Sequence, residues 1–541
     1  MDSPIWLDYC EIPHYNEHIV KNINGGVLMG IGVTTEIAIA MVLYIAMMIM
    51  IGVLYYKRNK GADDYFLGGR SLGPWVCAMS AEASDMSSWL LMGLPGVAYA
   101  IGMGEAFWTA VGLALGTYLN WLLVARRLRS YTRVAGDSIT LPDFFSNRFH
   151  DKYKILMIFS GLVIVIFFTI YTATGFIACG TLFQSIFGLD SSAYPWLVIG
   201  SAAVIVIYTG LGGFLAESVT DLIQGTLMFI ALVTVLVVGV IAVGGIAQIG
   251  ANVSGMENFL SVAGVQDLTN GGFKAYSALD IVSNLSWGLG YFGMPHVLLR
   301  FMAIRSSREL NRSRRIAMIW VAISLFAAVA IGIVGRALLG GAILPTETQA
   351  TLHETVFIQM VVKLMPAFIA GIMLSGILAA TMSTSDSQLL VTSSAVANNF
   401  YKNFVRKKAS SREIMWVGRG VVVLVAVIAA IMAMDTSSTI FGLVKYAWGG
   451  FGAAFGPVIL FSLFWKRMNM PGALAGMIVG GGTVIFWKEV LSPMGGIFGV
   501  YELLPAFILA SLVIVAVSLI TRAPSEEVRQ EFEQAKRYAL D

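Results

Sequence analysis

The chain has 541 residues, of which 57% are hydrophobic and only 12% charged, and its mean hydropathy is +0.77. A soluble domain carries roughly 25% charged residues, so a soluble enzyme, a nucleic-acid binder and a disordered scaffold are excluded. At about 20 apolar residues per crossing, the length suits one all-α bundle of a dozen or so membrane helices. The formal charge of +3 advertises no polyanionic partner, and Cys10, Cys77 and Cys179 lack disulfide or zinc spacing.

Residues 1–33 hold Asp2, Asp8, Glu11, His14, Glu17 and His18 and no basic start before an apolar stretch, so they predict an exposed extracytoplasmic leader, not a cleavable signal. An extra first helix follows at 34–56. Further apolar stretches lie near 72–101, 105–125, 154–183, 192–212, 219–248, 275–301, 315–342, 366–398, 416–434, 438–465, 470–488 and 500–521, giving about thirteen spans. The apolar run from Val356 to Met365 is too short to cross and predicts a helix lying against the outer face. After Pro524, the run SEEVRQEFEQAKRY predicts a short charged helix within a cytoplasmic tail, 522–541.

The basic residues test the count independently. Lys57, Arg58, Lys60 and Arg70, the group Arg126 to Arg133, the group Arg148 to Lys154, and the runs Arg300–Arg315, Lys402–Arg419, Lys466–Arg467 and Arg522–Arg537 all fall on one side of thirteen spans. Only Lys21, Lys274, Arg336, Lys363 and Lys488 fall on the other, with Lys445 inside a span. Basic loops stay cytoplasmic, so the N-terminus is expected outside and the C-terminus inside. One helix more or fewer would scramble this asymmetry.

Two spans are interrupted. The second carries Ala81-Glu82-Ala83-Ser84-Asp85-Met86-Ser87-Ser88-Trp89, and the seventh carries Ser286-Trp287-Gly288-Leu289-Gly290-Tyr291-Phe292-Gly293-Met294-Pro295-His296. Glycine entropy and proline's missing N–H weaken a helix there, and unwound backbone inside a bilayer is tolerated only where it lines a cavity or binds something. The interruptions lie five spans apart, at the first helix of two five-helix units, 72–248 and 275–465, with 470–521 peripheral. An odd offset gives the units opposite topology, the pattern of transporters built from inverted repeats around a midplane site. Close packing through small residues explains many glycines but not the intramembrane acids Glu82 and Asp85, which are costly and mark function. No nucleophile–base pair or metal cluster falls in a span, and no nucleotide-binding loop is present, so neither an enzyme nor an ATP-driven pump is indicated.

Asp63 to Pro74 (DDYFLGGRSLGP), the Ala83–Trp89 stretch, Leu141-Pro142-Asp143-Phe144, Phe167 to Tyr171, Trp287 to His296 and Tyr446 to Gly452 together resemble the solute:sodium symporter family, and within it the branch that carries proline. The likeness runs from about residue 34 to the tail. It implies a leucine-transporter-type fold and sodium-coupled uptake of L-proline across a bacterial inner membrane, with no organic cofactor and no obligatory protein partner.

The resemblance implies a sodium site between the second and ninth spans, formed by the carbonyls of Ala83, Met86 and Ala380 and the hydroxyls of Ser383 and Thr384. Several neutral oxygens suit a hard cation that must be released again. Asp85 need not touch the ion; it could cap the second half-helix or bias the field toward cations. For substrate the resemblance points to Tyr171, Trp287, Tyr291 and Pro295, with Ser87 and Ser88 nearby, because an apolar ring fits aromatic faces. Asp221, Asp386 and Ser387 could form a second cation site, against a solvated Asp386 near the inner vestibule. Arg70 is either part of an inner gate with loop acids or one of many positive-inside anchors.

Glu82 and Lys445 depart from the family's pattern, where small neutral residues are expected, as does the Ser385-Asp386-Ser387 run. Either charge alone would be expensive in a span, so the two are expected to pair between the second and eleventh spans. Two rivals stay open: a symporter of the same family for another amino acid, a sugar or a vitamin, and a transporter-like proline sensor.

Overall fold

In a computed structural model of the protein, residues 31–56, 62–346 and 349–540 are described. Most of the expected leader, Cys10 and the basic residues Lys57, Arg58 and Lys60 lie outside them. Among the described residues, eleven helices are long and apolar enough to cross a membrane. The two remaining predicted spans, the second and seventh, are the interrupted ones.

The first span is Ile31–Tyr56. The second is Pro74–Ser88 running on through Trp89–Gly93 to Leu94–Ile101, with Ser87 in a non-helical conformation (φ 49°, ψ −172°). The third is Met103–Leu119, continued by a wide turn into Ala125–Val134, and the fourth is Ile155–Phe187. The fifth and sixth occupy one run, Tyr194–Val243, broken at Gly213 (φ 66°), a backbone conformation open to glycine at no steric cost. The seventh is Ala278–Leu285, a tight 3₁₀ stretch Ser286–Gly293, and Pro295–Ala303. The eighth to thirteenth are Leu310–Leu339, Ala367–Ser394 (extended by a wide-turn stretch to Val405), Ser411–Met432, Ile440–Phe464, Met470–Phe486 and Leu503–Ile520. The short helix after the eighth span is Val356–Leu364, and the charged C-terminal helix is Glu526–Leu540.

Several spans start at side-chain caps, which satisfy the free N–H groups of a first turn. Ser277 and Asp280 form a reciprocal capping box at the seventh span, while Thr439 and Asn469 cap the eleventh and twelfth. The eleventh has a second cap from elsewhere in the chain: Glu354, buried in the loop before Val356–Leu364, accepts from the N–H groups of Ile440 and Phe441, both at 2.9 Å.

The glycines of the seventh span act through contact as well as through backbone freedom. A Cβ on Gly288 would stand 2.2 Å from the Gly112 carbonyl oxygen, one on Gly116 2.2 Å from that of Gly288, and one on Gly290 1.9 Å from Trp448 Nε1. The third span and the interruption of the seventh therefore touch backbone to backbone.

The basic loops gather at one end of the bundle. Arg70 donates to the carbonyl of Met302, Arg127 to Leu463, Arg129 to Ile304, Arg148 to Ser462 and Arg467 to Thr521. Leu72 and Ile304 pair as an isolated β-bridge, fastening the start of the second span to the end of the seventh.

Candidate functional site

At the break in the second span, Ser87 caps the turn that resumes the helix: its Oγ accepts from the Trp89 N–H at 3.1 Å. Asp85, read from sequence as a candidate cap, faces the seventh span instead. Its Oδ2 accepts from the Tyr291 hydroxyl at 2.6 Å, and its own carbonyl accepts from the Tyr171 hydroxyl at 3.2 Å. His296 Nε2 stands 4.0 Å from Oδ1, which has no hydrogen-bond donor. Through its carboxylate and its backbone carbonyl, Asp85 thus joins the two interruptions and the fourth span in a fully buried cluster.

Of the expected sodium ligands, Ala83, Ala380 and Ser383 come together. The Ser383 hydroxyl lies 2.8 Å from the Ala83 carbonyl, across the contact between the second and ninth spans, and 3.2 Å from that of Ala380. Thr384 Oγ1 beside it is buried and partnerless. The Met86 carbonyl accepts from the Trp89 N–H at the break. The Ser383 hydroxyl with two carbonyls, and a buried partnerless hydroxyl at the adjacent residue, are neutral oxygens of the kind a hard cation takes.

Trp287 and Tyr291 are each 1% exposed. Trp287 lies in an aromatic cluster with Trp89, Phe441 and Tyr501 at ring separations of 5.3–5.4 Å, and Tyr291 meets Trp448 edge-on at 5.0 Å. Trp287 Nε1 and Ser88 Oγ are buried without partners. Pro295 is buried at the first position of the half-helix that comes after the break. Sequence reasoning missed Trp89, Phe441, Tyr501 and Trp448; two of them, Trp89 and Trp448, stand inside the motifs that carry the family resemblance.

Asp221 and Ser387 also meet, with Asp386 next to Ser387, around a residue counted in the sequence as part of a cytoplasmic basic run. Arg300 is fully buried and ion-paired with Glu217 and, at 3.2 Å, with Asp221. It donates to Ser387 Oγ at 2.7 Å and, through Nε, to Ser80 Oγ at 3.0 Å. Ser80 in turn donates to Asp221 at 2.6 Å, and the Ser387 hydroxyl lies 2.5 Å from Glu217 and 2.8 Å from the Ser383 carbonyl. Asp386, expected as an alternative to be solvated, is fully buried; its Oδ1 accepts from the Ser387 N–H at 2.7 Å and its Oδ2 has no partner. A cluster of second-, sixth-, seventh- and ninth-span residues thereby borders the expected sodium ligands.

The expected Glu82–Lys445 pair is not formed. Glu82 accepts from Trp121 Nε1 at 3.0 Å, while Lys445 lies 3.9 Å from Glu105 and over the Tyr501 ring. The second span begins at the basic end and the eleventh at the opposite one. At 1.5 Å per residue, Glu82 and Lys445 lie about 12 Å and about 8 Å from opposite ends, and so at different depths. Arg70 pairs with the loop acid Asp137 at 3.0 Å and holds the carbonyls of Met302 and Ser138.

The family model described as "Sodium:solute symporter family" matches residues 65–480. The high-affinity proline transporter PutP of Bacillus subtilis (strain 168) is 48% identical over 90% of this chain and 98% of its own length. The sodium/proline symporter of Escherichia coli (strain K12) is 46% identical, covering 93% and 97%. Among solved structures, a Na+-coupled sialic acid symporter in a substrate-bound outward-open state superposes with a TM-score of 0.73 at 21% identity, over 91% of this chain and 99% of that one. Mhp1, a nucleobase-cation-symport-1 family transporter, superposes at 0.50 with 13% identity, over 87% and 98%. These likenesses extend through both interruptions and the spans that pack on them, and the chain belongs to the sodium:solute symporter family.

Proposed function

We propose that the chain carries L-proline into the cytoplasm together with sodium, by alternating access in the inner membrane of a bacterium. The cargo rests on the sodium/proline symporters that match nearly the whole chain; the mechanism rests on the buried meeting of the two interruptions at Asp85 and Tyr291. The units 72–248 and 275–465 act as the inverted repeats, with the N-terminus outside and the C-terminus inside.

Sodium is held by the carbonyls of Ala83, Met86 and Ala380 and the hydroxyls of Ser383 and Thr384. Proline lies between Tyr171, Trp287, Tyr291 and Pro295, its ring on aromatic faces. Its carboxylate takes hydrogen bonds from Ser88 Oγ and Trp287 Nε1, with Ser87 shaping the turn, and its secondary ammonium faces Asp85 Oδ1, the free carboxylate oxygen. The driving force is about 2.3 kcal/mol per charge per 100 mV plus the concentration gradient. Asp221 and Ser387 already bind the guanidinium of Arg300, so a second cation at Asp221, Asp386 and Ser387 enters only after Arg300 withdraws. Arg70 closes the basic end through Asp137, and Glu82 and Lys445 act separately.

The test is uptake of labelled L-proline into proteoliposomes containing only this protein, with and without an inward sodium gradient. Accumulation that needs the gradient is expected, with competition by unlabelled proline. Sodium-dependent accumulation of a competing solute without that of proline would replace the cargo.

A further inference from the structure

At the basic end, away from the transport path, a groove of about 710 Å³ opens between the C-terminal helix and the loop joining the eleventh and twelfth spans. Lys466, Arg467, Arg529 and Arg537 line it, against Glu526 and Glu533. The helix docks by its other side, where Val528, Phe532, Ala535 and Ala539 are buried and the Phe532 ring stands 6.1 Å from Tyr131. Its polar stripe is therefore held in a fixed position over the loop.

The balance of charge in the groove is positive. Arg529 is partly neutralised by Glu526 at 3.8 Å, but among the described residues no carboxylate pairs with Lys466, Arg467 or Arg537. Arg467 is fixed by one nitrogen, which donates to the Thr521 carbonyl at 2.9 Å at the end of the thirteenth span. Its other terminal nitrogen, Nη1, is buried and has no partner, an arrangement costly for a guanidinium unless an acceptor is supplied. Beside these cations the end of the bundle is apolar: Ile520 is 85% exposed and Leu519 58%, while Phe464, 42% exposed, carries the Arg127 guanidinium over one face of its ring. A ligand that satisfies both surfaces carries an anionic oxygen cluster on an apolar tail. Cations gathered next to the end of a membrane span attract anionic headgroups, and a guanidinium fork suits phosphate oxygens.

We propose that this groove binds the phosphate of one anionic phospholipid, whose acyl chains lie along Phe464, Leu519 and Ile520, so that the lipid cements the C-terminal helix to the last three spans. The purified full-length protein in detergent is titrated with phosphatidylglycerol, phosphatidylcholine or inorganic phosphate and examined by native mass spectrometry. One retained phosphatidylglycerol is expected, bound more weakly in Lys466→Glu/Arg537→Glu by about fivefold for each cation removed, and more weakly as salt rises. Equal retention of phosphatidylcholine, or undiminished phosphatidylglycerol in the variant, would overturn the proposal. Displacement of the lipid by millimolar inorganic phosphate would assign the groove to free phosphate and overturn it as well. Should the variant fail to fold, the salt titration and the headgroup comparison on the unaltered protein decide between these outcomes.

Discussion

The hydroxyl of Tyr291 donates to Asp85 Oδ2 at 2.6 Å, joining the interruption of the seventh span to that of the second. A hydrogen bond to a charged acceptor contributes about 1.5–3 kcal/mol. Tyr291→Phe keeps the ring against Trp448 and removes only this bond. We expect a ten- to hundredfold fall in sodium-driven uptake, roughly what that energy range represents. Asp85→Asn should show a similar fall, and the double variant little more than either alone. Initial rates of the three variants, treated as a double-mutant cycle, check this; strictly additive losses would mean that the two residues act separately.

Ser383 and Thr384 are expected to respond differently. Ser383 Oγ already contacts the Ala83 carbonyl, whereas Thr384 Oγ1 has no protein partner. Thr384→Ala should therefore raise the half-saturating sodium concentration by about tenfold, equivalent to ~1.4 kcal/mol, with little change in thermal unfolding. Ser383→Ala should raise it and lower the unfolding temperature too. Sodium titrations of uptake beside melting curves in detergent separate the two effects.

Arg300 neutralises two buried acids, and removing one partner of a buried pair costs about 3–5 kcal/mol. Arg300→Gln should thus destabilise the protein sharply, and Arg300→Gln/Glu217→Gln should recover part of the loss. Thermal unfolding of both variants measures this. A double variant no more stable than the single one would show that Glu217 is not the partner that matters.

For Lys445 the expectation is mild. Its contact with Glu105 is 3.9 Å long and both side chains are partly exposed, and such pairs contribute about 0–1 kcal/mol. Lys445→Ala should leave most uptake intact, and Glu82→Ala should be no better tolerated in the Lys445→Ala background. Trp121→Phe, which strips Glu82 of the hydrogen bond it accepts from the indole, should be the more damaging change. Uptake rates of the four variants side by side check this order.

The interruptions were legible because glycine, proline and acids within apolar runs have few other uses. The order of the spans was legible because each crossing must be long and apolar. Arg300 was not, since an arginine near a span end has the same local sequence whether it faces lipid headgroups or turns inward to Glu217 and Asp221. The supposed partnership of Glu82 with Lys445 failed for a related reason: sequence gives the span on which a charge sits but not its neighbours at the same depth. Trp121 and Glu105 carry no mark in sequence as the true partners. The aromatic wall shows the same limit, for Phe441 and Tyr501 approach Trp287 only through the packing of the eleventh span and the segment before the thirteenth.

At Gly112, Gly116 and Gly288 the third span and the interrupted seventh meet with no side chain between them. Surfaces slide by exchanging rotamers, and a seam of bare backbone has none to exchange. The third span is thus held tightly to the interruption of the seventh, and in the proposed alternating access relative motion is expected along faces such as that of the second and ninth spans, where Ser383 and Ala83 are joined by one exchangeable hydrogen bond. An alanine placed in the glycine seam would force the two backbones apart and is expected to abolish transport, with every residue proposed to touch ion or cargo still in place.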